Sequence, residues 1–343
     1  MSSSHKRLSS LIVLLAAAEA RAQSTWEMLK VETTASFRGL SVVNDRVVWA
    51  SGTRGTVIHT TDGGTTWQVD SIPGASTFDL RGIHATSDQV AHVAATAGRI
   101  WRTTNGGKSW TLTYQSPDSS MFLDGITFRN PRDGITLGDP MNGRFVILVT
   151  RDSGASWSMA PDSSRPQAMD GEAAFAASGT SLVVAGSRYG WLGTGGSVSR
   201  VFRTENGGAT WTAAPSGIPA RNGSGGVFSV AFSGPLHGVA VGGDYERPDS
   251  ASGTAAVTAD GVVTWSPARQ FPRGYRSGVA LRRVSEEVLV AVAVGTTGSD
   301  VSRDGGITWT PLDATSFNAV QFAPSGVAFA VGPRGRVARL LVR

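Results

Sequence analysis

The sequence contains no cysteine among its 343 residues and no long hydrophobic run after its N-terminal segment. The absence of cysteine excludes disulfides, thiolate metal sites, a cysteine nucleophile and a lipid-modified N-terminal cysteine. Because no later segment approaches the roughly 20 apolar residues of a membrane-spanning helix, no transmembrane anchor is predicted. No stretch shows the 3.6-residue apolar period of an amphipathic helix, whereas 43 glycines are spread along the chain. We therefore expect short strands and tight turns.

Charged residues are also scarce, at 17% of the chain, with 31 basic and 26 acidic side chains. The sequence has no lysine-rich run and no recognised nucleic-acid-binding motif, so no nucleic-acid partner is predicted. The five histidines are scattered without metal-ligand spacing, and no HExxH occurs. The glycine cluster at 193–196 precedes no helix that could complete a phosphate site. The sequence thus predicts neither a metal site nor a cofactor, and it assigns no catalytic residue.

The first 22 residues differ in kind from the rest of the chain. Residues 5–7 are basic or histidine, an apolar run covers 11–18, and Ala-Arg-Ala follows at 20–22. This order is typical of a secretory signal peptide with its cleavage site. We predict a signal peptide over residues 1–22, a mature domain over residues 23–343, and an exported protein that is periplasmic or secreted.

One short motif recurs six times after that segment, as HTTDGGTTW at 59–67 and then as TTNGGKSW, TRDSGASW, TENGGATW, TADGVVTW and SRDGGITW. The closing tryptophans recur at intervals of 43 to 54 residues, and repeats of about 40 to 50 residues are typical of four-stranded propeller blades. Trp26 stands one such interval before the first motif, and the last unit ends after three strands. We predict an all-β, seven-bladed β-propeller with Asp-box (BNR) repeats, whose last blade is closed by the N-terminal strand at 26–31.

The motif is the Asp box, [ST]-x-D-x-G-x-[ST]-W, which also occurs in sialidases. Its aspartate can accept N–H groups across the turn, its glycines can take positive φ, and its tryptophan can pack on the adjoining blade. Asn105 and Asn206 keep the acceptor, whereas Val262 replaces a glycine and predicts a distorted turn. Because a catalytic carboxylate would not recur in every blade, the motif indicates structure rather than activity.

A binding site is predicted on the face opposite the Asp boxes. The starts of the innermost strands and the loops between the second and third strands are expected to meet there around the central channel, and loops on a rigid scaffold often carry function. The predicted strand starts place three basic side chains opposite three acidic ones, namely Arg38, Arg81 and Arg276 against Asp124, Asp170 and Glu172. The alternative is that these charges pair with one another or with neighbouring backbone.

Two predicted loops on the same face are longer than the others, at 186–200 and 242–256. They add aromatic and charged residues, a combination favoured in binding hot spots. The candidates are Arg188, Tyr189, Trp191, Asp244, Tyr245 and Glu246. The alternative is that the two loops only pack on each other.

Several strings that extend beyond the Asp boxes resemble one known family. GTRGTVIHTTDGGTTW, GITLGDPMNGRFVILVTRDSGASW and AVGPRGRVARL are similar to the photosystem II stability and assembly factor family and its bacterial relatives, over most of the chain. The resemblance implies a non-enzymatic Asp-box propeller that binds a protein or peptide partner, such as a membrane-protein subunit, through an arginine-lined patch. The arginines named above are assigned from their repeat positions and not from that patch.

An enzymatic alternative is a sialidase-like glycosidase acting on extracytoplasmic glycans. Three arginines at a channel could clamp a carboxylate, and Tyr245 with Glu246 is similar to a tyrosine nucleophile pair. Against this, SFRGL stands where sialidases carry a Phe-Arg-Ile-Pro type segment, and Tyr245 and Glu246 are adjacent in sequence. A glycosidase that uses Asp124 with Asp170 or Glu172 also stays open, as does a bound glycan.

Overall fold

The computed structural model describes residues 25–221, 223–261 and 263–341. These residues form β-strands and two single-turn 3-10 segments, Thr53–Gly55 and Asp162–Ser164, and contain no α-helix. Accordingly, none of the described residues belongs to a helix that is long and apolar enough to span a membrane. The predicted signal peptide and the predicted turn distortion at Val262 both lie outside the described residues.

The strands are numbered here in chain order. They are β1 (Glu27–Leu29), β2 (Phe37–Val42), β3 (Val48–Gly52), β4 (Thr56–Thr60), β5 (Gln68–Ser71), β6 (Leu80–Ala85), β7 (Ala91–Ala95), β8 (Arg99–Thr103), β9 (Thr111–Gln115), β10 (Leu123–Phe128), β11 (Gly134–Met141), β12 (Arg144–Val146), β13 (Leu148–Thr150), β14 (Ser158–Met159), β15 (Glu172–Ala173), β16 (Leu182–Ala185), β17 (Tyr189–Gly193), β18 (Gly195–Gly196), β19 (Arg200–Thr204), β20 (Thr212–Pro215), β21 (Gly225–Ser233), β22 (His237–Asp244), β23 (Ala255–Thr258), β24 (Ser266–Pro267), β25 (Gly278–Arg283), β26 (Leu289–Gly295), β27 (Gly298–Ser302), β28 (Thr310–Asp313), β29 (Ala319–Phe322), β30 (Val327–Val331) and β31 (Val337–Leu341).

Seven antiparallel sheets form the seven blades. In order, blades one to seven are β2 to β5, β6 to β9, β10 to β14, β16 with β17, β19 and β20, β21 to β24, β25 to β28, and β29 to β31 with β1. The innermost strands β2, β6, β10, β16, β21, β25 and β29 each contact their neighbours in a closed ring. Two short strands, β15 and β18, extend the sheet of blade five beyond β21. The predicted seven-bladed all-β propeller is confirmed.

The N-terminal strand closes the ring. β1 pairs with β31 in antiparallel register, and Arg339 of β31 makes an ion pair of 2.8 Å with Glu27. The Trp26 indole N–H donates to Ser299 Oγ in blade six at 2.9 Å, and its ring lies 5.0 Å from that of Phe317. Blade seven is thus completed by the opposite end of the described chain, as the repeat pattern predicts.

The Asp boxes hold their turns through a repeated hydrogen-bond pattern. In blade one the Asp62 carboxylate accepts the Thr66 N–H at 2.9 Å and the Thr66 hydroxyl at 2.7 Å, while Thr60 Oγ1 accepts the Gly64 N–H at 3.0 Å. Hydrogen bonds from the Thr66 side chain and backbone lower the pKa of Asp62 to about 2. Asn105 accepts the equivalent N–H in blade two at 3.0 Å. These side chains serve the turn, so the structural interpretation of the motif is supported.

The hydrophobic core lies between blades rather than in one central mass. Trp110, the Asp-box tryptophan of blade two, packs edge-on against Trp49 of blade one with 6.4 Å between ring centroids. Trp67 of blade one packs against a buried cluster that includes Phe329 and Val337 of blade seven. Each blade is therefore stabilised by its neighbour, and the ring supplies a rigid frame for its loops.

Candidate functional site

The innermost strands β2, β6 and β10 carry a bulge at the same place, at the end of the channel opposite the Asp boxes. The register shift falls at Arg38 in β2, at Arg81 in β6 and at Asp124 in β10. A bulge redirects the side chain of the extra residue. Glycine follows each bulge, and a Cβ on Gly39 would lie only 3.0 Å from the backbone nitrogen of Ile83 in the next blade. The glycines thus allow neighbouring inner strands to approach closely, while the bulge redirects the side chains of the residues that precede the glycines.

A recess of about 390 Å³ opens at this end of the channel, on the face that we call the channel-mouth face. Its volume lies in the range of about 300 to 1,000 Å³ that is usual for ligand sites. Its walls come from inner-strand starts, from the loops after the second strands and from the segment 175–177: Arg38, Arg81, Phe175, Ala176, Ala177, Phe228, Tyr245, Tyr275, Ser277, Thr296 and Asn318.

One wall of the recess is cationic. Arg81 makes an ion pair of 3.0 Å with Asp79, and its guanidinium lies 5.5 Å from the ring centroid of Phe122. Arg38 is half-buried. Its guanidinium forms neither a hydrogen bond nor an ion pair with the residues that the structure describes. Burial, and then the charge of Arg81, lower the pKa of Arg38. The recess therefore contains a cation that no contacting carboxylate neutralises.

The other wall is aromatic. Phe175 and Phe228 stack with centroids 3.9 Å apart and an interplanar angle of 5°. Tyr275 meets Phe228 edge-on at 4.7 Å, and Tyr245 does so at 6.2 Å. Phe228 and Tyr275 are buried, whereas Tyr245 is 49% exposed. The apolar wall thus has a fixed interior and one accessible ring at its rim.

Of the residues predicted from the sequence, Arg38, Arg81 and Tyr245 meet in this recess. Sequence reasoning missed Phe175 and Phe228. A signal for Phe228 was present, because it occupies in β21 the bulge position that Arg38 occupies in β2. Phe175 lies outside any blade strand, so the repeat pattern carries no signal for it.

Asp124 does not offer a carboxylate to a partner. It is 1% exposed, and neither side-chain oxygen has a hydrogen-bond partner among the described residues. Burial, and then the charge of Asp139, raise the pKa of Asp124 well above its ordinary value, against a smaller effect of Arg81. The expectation that Asp124 forms part of an accessible acidic arc is wrong, because its side chain is buried and does not line the recess.

Glu172 is also held inside the protein. It is buried and ion-paired with Arg200, whose Nε donates to its carboxylate at 2.9 Å, and the Thr194 hydroxyl donates to it at 2.6 Å. Asp170 is exposed but does not line the recess, and its backbone oxygen accepts the Ser197 hydroxyl. Glu172 also accepts the Met169 N–H at 2.9 Å, so its carboxylate bonds to neighbouring backbone and to Arg200 and has a structural role.

The start of blade four differs from the prediction. Two stretches, EAAFAASG at 172–179 and SLVVAG at 181–186, resemble an inner strand, and the second one forms β16. The first is an insertion that crosses the channel mouth. There Phe175 enters the recess, and the backbone carbonyl of Ala176 lies 3.5 Å from the Arg81 guanidinium, which donates to it. The acidic residues at 170 and 172 consequently do not begin an inner strand.

Because the inner strand of blade four is β16, the residues at 186–200 do not form one loop. They form the turn after β16, strand β17 and the connection from β17 to β19. β16 and β17 form a hairpin, so Arg188 lies in its turn on the Asp-box face. There the Arg188 Nε donates to the backbone carbonyl of Glu205 at 3.2 Å, as the Arg46 Nε donates to the backbone carbonyl of Thr61 in blade one. The prediction of a channel-mouth loop is therefore wrong for residues 186–193, whereas residues 194–199 do connect the second and third strands of blade four.

The two aromatic residues of that segment belong to β17. Tyr189 is half-buried at its start, and its ring lies 5.7 Å below the Arg188 guanidinium. Trp191 is fully buried and stacks on Phe232 with 3.8 Å between centroids. Neither is available at the channel mouth, and Trp191 is a core residue.

The second predicted loop is on the channel-mouth face, over 245–254 between β22 and β23. Asp244 is buried at the end of β22, where it accepts the Arg247 Nε at 2.8 Å and the Glu246 N–H at 3.0 Å. Glu246 itself is exposed and does not line the recess. Asp244 thus shapes the loop that presents Tyr245.

Arg276 is not a surface residue. It is 0% exposed and paired with buried Asp300, with Nε 2.7 Å from Oδ2. It also donates to the backbone carbonyl of Tyr275 at 2.7 Å and to the Thr297 hydroxyl at 2.9 Å. The expectation that Arg276 contacts a partner is wrong, because its side chain fixes blade six from within. Only two of the three predicted arginines line the recess.

A second cavity of about 490 Å³ opens at the Asp-box end of the channel. Its lining includes His84, Asn130 and Gln321 but no aspartate, glutamate, lysine or arginine. Burial lowers the pKa of His84 to about 4, so the lining of this cavity carries no charge at neutral pH. Elsewhere in the described part of the chain, no group of three potential ligand side chains is placed to hold a metal ion.

Comparisons with known proteins identify relatives with this architecture. The family model described as photosynthesis system II assembly factor YCF48 matches residues 18–118, and a BNR/Asp-box repeat model matches residues 300–311. The chain resembles the YCF48 family. This confirms the resemblance predicted from the sequence, and the YCF48 match covers the N-terminal strand and the first two blades.

Solved structures extend the YCF48 likeness to the whole fold. A structure described as YCF48 bound to D1 peptide is 17% identical, covers 93% of this chain and 96% of its own, and has a TM-score of 0.65. YCF48 from Cyanidioschyzon merolae is 19% identical, with coverage of 92% and 98% and a TM-score of 0.64. The WD40 repeats of RRP9 reach a TM-score of 0.65 at 13% identity, with coverage of 93% and 98%. At these identities the likeness shows a propeller fold. No curated protein matches the sequence.

Proposed function

We propose that this protein is an assembly-factor-like binding propeller, which holds a segment of a protein or peptide partner in the channel-mouth recess. The observation that carries this proposal is Arg38, a half-buried cation without a contacting counter-charge, placed in a cavity that also has an aromatic wall. A YCF48 structure that shares the fold is described as holding a D1 peptide, which supports a peptide ligand.

Each accessible residue has a role in the proposal. Arg38 and Arg81 bind an acidic group of the partner, because guanidinium forks hold carboxylates by paired, charge-assisted hydrogen bonds. Tyr245 supplies apolar contact at the rim. Exposed Asp170 and Glu246 are candidates to meet a basic group outside the recess.

No observation favours the glycosidase alternative. A glycosidase of the two-carboxylate type needs two accessible carboxyl groups on either side of one sugar bond. Asp124 is buried, and Glu172 is engaged by Arg200 and Thr194. With Arg276 buried as well, the three-arginine clamp of a sialidase is not assembled.

We also propose that the protein is exported, on the strength of the sequence of residues 1–22. The expected mature N-terminus is the glutamine at position 23. N-terminal sequencing of protein recovered outside the cytoplasm measures this, and recovery of the uncleaved chain only inside the cytoplasm would contradict it.

The binding proposal is tested by mild crosslinking and co-purification from cells that express the tagged protein. We expect the Arg38→Met, Arg81→Met double variant to lose specific protein partners that the parent captures. Lys108→Met is the matched control, since it removes one positive charge from an exposed Asp-box turn. Equal capture by the parent and the double variant would overturn the arginine assignment.

A further inference from the structure

The two walls of the recess lie on opposite sides of the channel. Arg38 and Arg81 belong to blades one and two, whereas Phe228 and Tyr245 belong to blade five, which faces those blades across a ring of seven. The segment 175–177 joins the two sides, with Ala176 near Arg81 and Phe175 stacked on Phe228. A ligand that fills the recess therefore meets cations on one side and rings on the other.

The aromatic wall has room for another ring at its rim. Phe228 is enclosed by its neighbours, because Phe175 covers one face and Tyr275 meets its edge. Tyr245 stands at the outer end of this cluster and keeps 49% of its surface exposed. Aromatic pairs in edge-to-face or offset geometry are favourable beyond the area they bury. The exposed ring of Tyr245 and the accessible part of Phe175 are suited to an aromatic side chain.

The size of the recess limits the occupant to a short segment. A cavity of about 390 Å³ admits a few side chains and not the surface of a folded domain. A protruding extended segment fits, and successive side chains of extended backbone point to opposite sides. Two adjacent residues of such a segment would reach the two walls at the same time.

We propose that the recess recognises an acidic residue adjacent to an aromatic residue on an extended segment of the partner protein. The carboxylate binds Arg38, and the aromatic ring packs against Tyr245 and Phe175. This inference rests on the proposed function and adds the sequence feature that the partner must present. Tyr245 then determines specificity, while Arg38 supplies the charge contact.

Four blocked tetrapeptides test the inference by titration against the purified protein with saturation-transfer NMR. They are Ac-Gly-Asp-Phe-Gly-NH2, its Phe-to-Ala form, its Asp-to-Asn form and the form with both changes. We expect the Asp-Phe peptide to bind about tenfold more tightly than either single replacement, since one aromatic contact or one charge contact is lost in each.

Protein variants assign each contact to its wall. Tyr245→Ala should weaken the Asp-Phe peptide to the level of the Asp-Ala peptide and leave the Asp-Ala peptide unchanged. Arg38→Met should instead reduce the Asp-Phe peptide to the level of the Asn-Phe peptide. Leu112→Ala, on an exposed outer strand, is the control that should change neither affinity.

The results that would overturn this inference differ from the result that would overturn the proposed function. Equal binding of the Asp-Phe and Asp-Ala peptides, unaffected by Tyr245→Ala, overturns the aromatic selection while an anion site remains. Absence of binding by all four peptides overturns the inference, and the capture experiment with the double arginine variant then decides the proposed function. Displacement of the Asp-Phe peptide by an oligosaccharide of uronic acids, at lower concentration than any peptide requires, would replace the peptide with an acidic glycan.

Discussion

His92 is buried between blades two and three with no hydrogen bond to either ring nitrogen among the described residues, and it stacks on Phe128 at 4.3 Å. Burial, followed by the charges of His84 and Arg102, lowers the pKa of His92 to about 3. Burial also lowers the pKa of His84 to about 4. Both rings are therefore expected to be neutral in the folded protein well below the pH at which they are protonated in the unfolded chain.

We predict that these histidines make the folded protein sensitive to acid. Because their folded pKa values lie below the ordinary value of about 6.5, the unfolded chain binds more protons as the pH falls. Stability should be complete above about pH 6.5 and decline by up to roughly 1.4 kcal/mol per pH unit for each histidine, down to about pH 4 for His84 and pH 3 for His92. Urea unfolding between pH 3 and 8 measures this decline.

The variant His92→Phe keeps a ring on Phe128 and removes one titrating group. The free energy of unfolding of this variant should fall less steeply with decreasing pH than that of the parent. Both proteins contain the same carboxylates, so the difference between the two curves reports His92. Parallel curves for the parent and His92→Phe would contradict the assignment.

Asp124 predicts a pH dependence of the opposite sign. Because burial raises its folded pKa, the folded protein holds a proton that the unfolded chain releases, and stability falls as the pH rises above about 3.9. Asp124→Asn should therefore raise the free energy of unfolding at pH 7 by at least about 1 kcal/mol, and the gain should vanish near pH 3. Destabilisation by Asp124→Asn at pH 7 would show that the carboxylate has a partner in solution.

Two arginines of the predicted site should respond in contrasting ways to the same substitution. Arg276→Met leaves buried Asp300 with only the 3.7 Å ion pair to Arg273, so the free energy of unfolding should fall by about 3 to 5 kcal/mol. Arg38→Met removes a half-buried cation that has no contacting counter-charge, so stability should be unchanged or higher while partner binding is lost. Calorimetry of the two variants measures the difference, and equal destabilisation would contradict the separation of structural from binding arginines.

At the scale of elements, the closure of blade seven by β1 gives a direct stability prediction. Trp26→Ala removes a buried ring and its hydrogen bond to Ser299, which should lower the free energy of unfolding by about 3 to 5 kcal/mol. Deletion of residues 23–31 should lower the melting temperature further, because it exposes the edge of β31. Thermal unfolding measures both. Exposed Met28→Ala is the control for β1, and an unchanged melting curve after the deletion would refute the closure.

The elements could be predicted wherever the repeat is regular. The Asp boxes and the strand-like segments around them indicate the blades. The segment that begins at Trp26, which has no Asp box of its own, indicates the closing strand. Blade four could not be placed in this way because an insertion precedes β16. EAAFAASG carries the apolar content of an inner strand, yet only the pairing of β16 with β17 decides between the two candidates. Strand pairing is a tertiary property that a local pattern does not contain.

At the scale of the whole molecule, part of the site could be predicted from the ring. Counting inner-strand starts leads to Arg38 and Arg81, and the long loop after β22 leads to Tyr245. The prediction for Arg276 was wrong by one position, since Ser277 is the residue that lines the recess. Because side chains alternate along a strand, a slip of one residue moves a side chain from the channel into the core. The contribution of Phe175 depends on a segment that crosses between blades, which the repeat does not encode.

The central claim is that the channel-mouth recess holds a segment of a partner protein, and site-specific photocrosslinking tests it most directly. Tyr245 is replaced by p-benzoylphenylalanine, and Leu236, an exposed residue in a turn of the Asp-box face, is replaced in the same way as the control. We predict that irradiation of the cells attaches a specific protein at position 245, at an acidic and aromatic segment, and not at position 236. Attachment of the same protein at position 236 but not at 245 would contradict the account.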